Sequence, residues 1–240
     1  MRADSRQPNQ LRPVTITPGY LKTAEGSALI AVGETRVLCA ASVESSVPSF
    51  LRNSGKGWVT AEYSMLPRAT STRTPREVTK GRPSGRTHEI QRLIGRSLRA
   101  VIDMQVLGER SIFIDCDVLQ ADGGTRVASV TGAYVALALA VKQMVKLKML
   151  PKPAITGMVA AISVGILKGE AILDLCYEED SRAEVDANVV MTADGRFVEF
   201  QATAENRSFD DAQMDEMRSL ARHGIMQLIE AQKAAIDAHQ

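Results

Sequence analysis

Residues 111–145 constrain the fold most, because they combine a strand, a tight turn and a long helix in one run. Ser111–Leu119 alternates apolar and polar side chains, which is typical of a half-buried strand. Val127–Val145 is rich in Ala, contains no Pro and predicts a long buried helix. The segment Asp122–Arg126 (DGGTR) joins the two elements. A glycine turn therefore stands at the start of a helix, directly after a strand.

This turn has the composition of a phosphate-binding loop. Adjacent glycines let the backbone approach a ligand closely, and a helix N-terminus offers unpaired N–H groups and the positive end of a dipole. Thr125 adds a hydroxyl, and Arg126 adds a planar donor group that suits phosphate oxygens. The turn matches neither the Walker pattern nor the dinucleotide-binding pattern. An ordinary glycine turn at a helix start remains the alternative.

The charges are segregated along the chain, although the net charge is only +1. Residues 68–99 hold nine basic and two acidic residues, whereas residues 170–216 hold fourteen acidic and three basic residues. Such segregation indicates a polyanion-binding region and a separate acidic site. The basic region contains no aromatic residue, so any nucleic-acid contact there would depend on salt more than on base stacking. A solvated helix face is the alternative.

The basic residues fall on two predicted elements. Residues 67–86 predict a long irregular loop, and Thr87–Met104 predicts an amphipathic helix with Arg92, Arg96 and Arg99 opposite its apolar face. In the acidic region, Asp180 and Asp186 flank a short connection between two predicted strands. Two such carboxylates can hold Mg²⁺, or one can donate a proton to a leaving oxygen. An acidic turn without function is the alternative reading of this pair.

Together, a phosphate loop, a cationic track and a carboxylate pair are the parts that phosphoryl transfer needs. The residues that other classes of enzyme would need are missing from the sequence. The three histidines are scattered, which argues against a ribonuclease with paired imidazoles, and the missing Walker pattern argues against an NTPase. The three cysteines form no CxxC and predict buried thiols in a reducing cytoplasm. We expect no membrane segment, because no apolar run reaches about 18 residues.

The order of elements predicts an α+β or mixed α/β fold built as two similar βα halves. We expect one domain over residues 1–240, with halves at 10–146 and 154–238. The predicted strands are Val14–Thr17, Ala28–Val32, Arg36–Val43, Trp58–Leu66, Ser111–Leu119, Ile155–Leu167, Ala171–Cys176, Val185–Thr192 and Phe197–Thr203. An Asp194-Gly195 hairpin joins the last two strands. Asp210–Ala238 predicts a closing amphipathic helix.

Several motifs resemble the ribonuclease PH family of phosphate-dependent 3′→5′ exoribonucleases, and the resemblance covers nearly the whole chain. They are Gln10–Thr17, Glu34–Cys39, Gly57–Tyr63, Met65–Thr70, Ser84–Thr87, Glu89–Ala100, Asp115–Arg126 and Asn188–Thr192. The family opening usually carries Gly where Ser5 stands, and Ala202 and Asn206 also replace usual glycines. The phosphate-loop residues and the acidic pair match the family pattern.

The resemblance implies a ring-forming ribonuclease PH/ribosomal-protein-S5-like fold and a homo-hexamer built as a trimer of dimers. It implies an enzyme that trims 3′ extensions of tRNA precursors. Inorganic phosphate would be the attacking co-substrate, held by Arg86, Gly124, Thr125 and Arg126. Asp180 and Asp186 would be catalytic and bind Mg²⁺. Arg68, Arg73 and Arg76 would bind tRNA. The other RNA-binding residues would be Arg92, Arg96 and Arg99, which lie on the helix nearby. The alternative is a catalytically silent ring subunit that only binds RNA.

Overall fold

The computed structural model describes Arg2, residues 4–205 and residues 208–239. The first half contains strands β1 (Val14–Pro18), β2 (Gly26–Val32), β3 (Thr35–Glu44), β4 (Trp58–Met65) and β5 (Ser111–Gln120), with helices α1 (Gly85–Arg99), α2 (Met104–Leu107) and α3 (Thr125–Lys146). The second half contains β6 (Val159–Leu167), β7 (Glu170–Leu173), β8 (Val185–Thr192) and β9 (Phe197–Ala204), with helices α4 (Tyr177–Asp180) and α5 (Asp211–Ala238). The mixed α/β fold class is therefore confirmed. Asn206, one of the departures from the family pattern, lies outside the described residues.

Each half is built on one sheet. The first sheet has the order β1-β2-β3-β5-β4, and the second has the order β7-β6-β8-β9. All neighbouring strands are antiparallel except β4 and β5, which are parallel because α1 crosses between them. This crossover brings the C-terminal ends of β4 and β5 to one edge, where the glycine turn begins. Ala202 pairs with Ala187 across β8 and β9, so its extra methyl group faces a small neighbour.

Helix α3 lies between the two sheets and forms the centre of the core. It packs on β2, β3 and β5 on one side and on β6 on the other. A Cβ on Gly132 would lie 2.7 Å from Ile30 Cγ2 and 2.9 Å from Cys39 Sγ, so the helix approaches β2 and β3 closely only because this residue is small. By length and hydropathy α3 could span a membrane, but 83% of its apolar window is buried inside the fold. Its apolar character is that of a core helix.

Two elements have bounds in the structure that differ from the predicted ones. The helix predicted to reach Met104 ends at Arg99, because Ile102 forms a β-bridge with Ile155 and Asp103 caps the separate helix α2. The strand predicted from Ile155 begins at Val159 for the related reason that Ile155 belongs to that isolated bridge. Both departures come from a contact between segments more than 50 residues apart in the chain, which local periodicity does not contain.

Replacing Ser5 with Gly is expected to stabilise the protein. Ser5 has φ of +64°, in the left-handed region that costs a side chain about 1–2 kcal/mol. Because Gly adopts this conformation freely but is more flexible when unfolded, we expect a net gain of about 0.5–1 kcal/mol and a Tm higher by about 1–3 °C. Calorimetry measures it. Ser64→Gly, in the extended strand β4, should lower the Tm; a lower Tm for Ser5→Gly would contradict the account.

Candidate active site

The turn before α3 needs glycine at two positions. Gly123 and Gly124 have φ of +74° and +67°, in the left-handed region. A Cβ on Gly123 would lie 2.6 Å from the carbonyl oxygen of Leu175, which is closer than Cβ atoms approach backbone. The turn therefore packs directly against the segment that leads to Asp180, and this contact joins the two halves of the chain.

Side chains of the first sheet hold the turn in place. The Thr35 hydroxyl donates to the Gly123 carbonyl oxygen at 2.7 Å and accepts from the Asp122 N–H at 2.9 Å. The Tyr63 hydroxyl lies 2.9 Å from Thr125 Oγ1, and both residues are buried. Gly124 precedes α3 and has no side chain that could cap the helix. The N–H groups of the first helical turn are thus available to an anion.

A cavity of about 300 Å³ opens at this turn. Its walls come from both halves of the chain, and they include all six residues predicted to bind phosphate or to act in catalysis. These are Arg86, Gly124, Thr125, Arg126, Asp180 and Asp186. The volume is at the lower end of the range of about 300–1,000 Å³ that small-molecule sites occupy. The structure thus brings the predicted phosphate-binding turn and the carboxylate pair to the same cavity.

The two arginines of the cavity differ in their surroundings. Arg126 is mostly buried, and its Nη1 donates to Glu89 Oε1 at 2.8 Å and to Gln201 Oε1 at 3.5 Å. Arg86 is exposed at the start of α1. Both charges act on Asp180, since they oppose the increase in its pKa that burial causes. An anion entering the cavity would therefore meet two guanidinium groups and the start of α3.

The acidic pair is only partly solvated, and this changes its titration. Burial, and then the charge of Asp180, raises the pKa of Asp186 to about 6. Burial also raises the pKa of Asp180. The Asn188 amide donates to Asp186 Oδ2 at 3.5 Å. Two carboxylates that repel each other in a partly buried space favour the uptake of a proton or a cation.

The donor set fits Mg²⁺ better than a metal that needs a complete protein cage. Within the described ranges, no group of three or more His, Cys, Asp or Glu side chains could hold a metal ion. Asp180 and Asp186 would therefore supply two carboxylates, with water and substrate oxygens completing the coordination. Mg²⁺ is usually bound in this way, because it dehydrates reluctantly and keeps several waters.

The element that carries Asp180 differs from the prediction. Asp180 is the last residue of the short helix α4, rather than the residue after a strand, and Asp186 lies in β8. The predicted strand Ala171–Cys176 is shorter, because β7 ends at Leu173 and Asp174 has φ of +55°. A residue in the left-handed region ends a strand, since it turns the chain away from the extended direction.

The predicted RNA-contacting arginines lie in three places. Arg68, Arg73 and Arg76 are exposed on the loop between β4 and α1, whose two ends contribute Thr70 and Arg86 to the cavity. Arg92 and Arg96 line a shallow groove along α1, where Arg96 forms an ion pair with Glu199.

Arg99 lies at the far end of this helix. Its guanidinium stacks 4.5 Å from the centre of the Trp58 ring and donates to the Val59 carbonyl oxygen at 2.8 Å. Arg99 is therefore already used in packing.

Several residues at the cavity received no role from the sequence. Tyr177 and Asn188 line it, Glu89 pairs with Arg126, and Tyr63 supports Thr125. Glu89, Asn188 and Tyr63 all lie within the motifs that carry the family resemblance, which is the only signal that marked them. Tyr177 is 67% exposed, so it presents an aromatic face to whatever occupies the cavity mouth.

Comparison with known proteins identifies the family. Residues 10–143 match domain 1 of the 3′ exoribonuclease family, and residues 157–224 match its domain 2. A ribonuclease PH of Solibacter usitatus (strain Ellin6076) is 67% identical over 237 residues, which cover 99% of this chain and 100% of that protein. The chain belongs to the ribonuclease PH family. A ribonuclease PH of Dehalococcoides mccartyi (strain CBDB1) is 59% identical over 97% of this chain and 96% of that protein.

Solved structures with the same fold are more distant. The chain resembles rice Rrp46 with a TM-score of 0.77 and 21% identity, covering 98% of this chain and 100% of that one. It also resembles a chain of the Archaeoglobus fulgidus exosome with RNA bound to the active site, with a TM-score of 0.81, 22% identity, and coverage of 95% and 91%. These likenesses show that the ribonuclease PH family fold is present, and both the family and the fold expected from the sequence are confirmed.

Proposed function

We propose that this member of the ribonuclease PH family trims the 3′ ends of tRNA precursors, with inorganic phosphate bound at the start of α3. The chain is a phosphorolytic 3′→5′ exoribonuclease, an enzyme of the nucleotidyltransferase type. One observation carries the assignment of the site: Gly124–Arg126 and Arg86 share a cavity with Asp180 and Asp186. That combination would bind a phosphate and assist a leaving oxygen in the same cavity.

In the reaction, an oxygen of inorganic phosphate attacks the phosphorus of the terminal phosphodiester. A P–O–P bond forms, the P–O3′ bond breaks, and the 3′ oxygen takes up a proton. The products are a nucleoside diphosphate and an RNA that is one nucleotide shorter. Because a phosphodiester is exchanged for a phosphoanhydride of comparable energy, we expect the reverse addition of nucleotides from diphosphates as well.

The basic side of the cavity would hold the attacking phosphate. Arg126 can present two parallel donors, and the N–H groups and hydroxyl of the turn add further donors. Arg86 supplies a second positive charge, which reduces the repulsion between the phosphate and the RNA backbone. Fixed donors of this kind stabilise charge as it develops in the transition state, and they need no reorganisation at that moment. Arg126 would leave Glu89 for the phosphate.

The acidic side would assist the departure of the 3′ oxygen. Asp186, whose pKa is about 6, retains a proton in a fraction of molecules at neutral pH and can donate it. Asp180 keeps that pKa high through its charge, and Asn188 orients the Asp186 carboxyl. Both carboxylates would also bind Mg²⁺, which when present would stabilise negative charge on the leaving oxygen.

The exposed arginines would bind the body of the tRNA. Arg68, Arg73 and Arg76 form no ion pair with any described residue, so their charges are available to a polyanion. Their loop begins and ends at the cavity, so an RNA held there would have its 3′ end near the phosphate. Arg92 and Arg96 extend this basic surface along α1, whereas Arg99 supports it through Trp58.

We further propose a homo-hexameric ring, a trimer of dimers, in the cytoplasm. The ribonuclease PH family fold supports the ring, and a ring would place several exposed loops around a shared RNA path. The three cysteines are buried free thiols, as the sequence predicted, and such thiols suit a reducing compartment. Light scattering of the purified protein tests the hexamer directly.

The deciding experiment is an incubation with a tRNA that carries extra 3′ nucleotides, in Mg²⁺, with and without inorganic phosphate. Nucleoside diphosphates that form only with phosphate would support the proposal. Monophosphates formed without phosphate would indicate hydrolysis and contradict it. RNA that binds without any product would favour the silent ring subunit.

Replacing Arg73 and Arg76 with Ala is expected to weaken tRNA binding and to flatten its dependence on salt. Each lost phosphate contact should reduce the slope of log K against log salt by about 1. The KM for inorganic phosphate should stay within about twofold, since neither side chain lines the cavity. Filter binding at several salt concentrations measures the slope. Arg218→Ala on α5 is the matched control, and an unchanged slope in the double variant would refute the assignment.

A further inference from the structure

The N-terminal arm, residue 2 and residues 4–12, is polar and mostly exposed, but two of its arginines are held deep in the structure. Arg2 is 7% exposed and Arg12 is 4% exposed. Their partners are Asp174, which is fully buried, and Glu179, which is 2% exposed. Arginine and acidic side chains are rarely buried unless they are paired. None of these four residues lines the cavity, although Glu179 is the neighbour of Asp180, which does.

Arg2 anchors the helix that carries Asp180. Its Nε donates to Glu179 Oε1 and its Nη2 to Glu179 Oε2, both at 2.8 Å. Its Nη2 also donates to the Asp174 carbonyl oxygen at 2.9 Å. Although burial opposes ionisation, the hydrogen bonds and charge of Arg2 lower the pKa of Glu179 to about 2. Glu179 is the residue directly before Asp180, so this ion pair fixes the position of the catalytic candidate.

Arg12 ties the same segment to the phosphate-binding turn. Its backbone N–H and Nε donate to Asp174 Oδ2 at 2.8 and 3.0 Å, and its Nη2 donates to Asp174 Oδ1 at 2.7 Å. Its Nη1 donates to the carbonyl oxygen of Asp122 in the turn. A single guanidinium therefore joins the turn of the first half to the acidic segment of the second half.

The segment between Asp174 and Asp180 needs such support. Asp174 has φ of +55°, a conformation that costs a side chain energy, and α4 has only four residues. A helix of one turn is not stable without tertiary contacts. A hydrogen bond also ties α4 to the turn, because the Tyr177 N–H donates to Asp122 Oδ1 at 3.2 Å.

We propose that the N-terminal arm is a positioning element, in which Arg2 and Arg12 set the separation between Asp180 and the phosphate-binding turn. This inference rests on the proposed roles of that turn and of the acidic pair. Neither arginine touches the substrate. Displacement of a reacting group by about 1 Å can cost a factor of about 100 in rate, so a small shift of α4 is sufficient to impair the reaction.

The test compares Arg2→Met with the double variant Arg2→Met/Glu179→Gln. The single variant removes the closest cationic partner of a buried carboxylate, which keeps Arg6 at 3.6 Å, and it should lower both stability and kcat. The double variant removes that carboxylate and should recover most of the stability, but kcat should stay about 10- to 100-fold below wild type, with the KM for phosphate within about threefold. Recovery of kcat together with stability would overturn the proposal, because Arg2 would then matter only for folding.

A further measurement separates positioning from a general structural role. Hydrogen–deuterium exchange should accelerate at residues 175–183 in both variants while the core strands stay protected. Unchanged exchange at α4, or acceleration throughout the chain, would overturn the proposal. Arg218→Met, which removes an exposed ion pair on α5, serves as the matched control.

The outcomes distinguish this proposal from the proposed function. If wild-type enzyme releases diphosphates and the double variant equals it, the arm has no positioning role and the proposed function stands. If the wild-type enzyme releases no diphosphates, the proposed function fails. The exchange experiment then still decides whether the arm holds α4, because it requires no activity.

Discussion

Arg126→Ala is expected to raise the KM for inorganic phosphate by about 10- to 10³-fold while tRNA binding stays nearly unchanged. The side chain lines the cavity beside Thr125 and has a carboxylate, Glu89, as its ion-pair partner. Removing a charged donor from an anion site costs about 1.5–4 kcal/mol, which corresponds to factors of about 10 to 10³. Steady-state kinetics at varied phosphate, together with filter binding of tRNA, measure the two effects separately.

A matched pair of variants sharpens this test. Arg126→Lys keeps the charge but loses the planar two-donor geometry, so it should recover only part of the loss. Arg96→Ala removes a guanidinium of the groove on α1, which lies outside the cavity. It should therefore weaken RNA binding and leave the KM for phosphate unchanged. An equal loss of phosphate and tRNA affinity in Arg126→Ala would show that this arginine binds RNA instead.

Asp186→Asn is expected to lower kcat by about 10²- to 10⁴-fold, because it removes a proton donor and one of two carboxylates that would bind Mg²⁺. The KM for phosphate should change little, since we propose that phosphate binds on the opposite, basic side of the cavity. Single-turnover kinetics with a tRNA substrate measure the effect. Glu184→Gln, a half-buried acid in the adjoining connection that does not line the cavity, is the matched control. Activity within tenfold of wild type would refute the role.

The same variant should stabilise the metal-free protein in a pH-dependent way. The pKa of Asp186 rises from an ordinary value of 3.8 to about 6, so the folded state holds a proton that the unfolded state releases. Wild type is therefore penalised as pH rises from about 4 to 6, and the penalty is fully present above that window. At 1.36 kcal/mol per pKa unit, Asp186→Asn should gain roughly 2–3 kcal/mol at pH 8.

Thermal melting in a chelator at pH 4 and at pH 8 measures this difference. The variant and wild type should have similar Tm values at pH 4, where the wild-type carboxyl is protonated in the folded state. Mg²⁺ should raise the wild-type Tm at pH 8 and leave the variant almost unaffected, because the ion relieves the repulsion between the two carboxylates. A variant that is less stable than wild type at pH 8 would contradict the burial of this charge.

The local elements were predictable because their signals are local. Val185–Thr192 is a strand with the predicted bounds, and the Asp194-Gly195 hairpin has Gly195 at φ of +84°. The run from β5 through the glycine turn into α3 was also predicted, since alternation and glycine placement depend only on neighbouring residues. The family resemblance then named six of the residues that line the cavity before any distance was known.

Tertiary structure alone decided how these elements meet. Arg2 and Glu179 are 177 positions apart, and Arg12 and Asp122 are 110 apart, so no periodic pattern connects them. From the sequence alone, the arginines of the arm look like part of a polar terminus, and Glu179 looks like one more acid in an acidic turn. The same holds for Arg99, which looks like part of a basic stripe until Trp58 is seen beneath it.

The sequence by itself therefore determined most of the strands, the long helices and the glycine turn, and it predicted the chemistry that the charged residues could perform. It selected Asp180 and Asp186, but it could not show why Asp180 faces the cavity and its neighbour Glu179 does not, because burial and ion pairing are properties of the packed chain. Glu179 and Asp180 are adjacent acids, yet one is neutralised by Arg2 behind the cavity and the other lines it. The backbone direction in the one-turn helix α4 places these two side chains in different surroundings, and only long-range contacts set that direction.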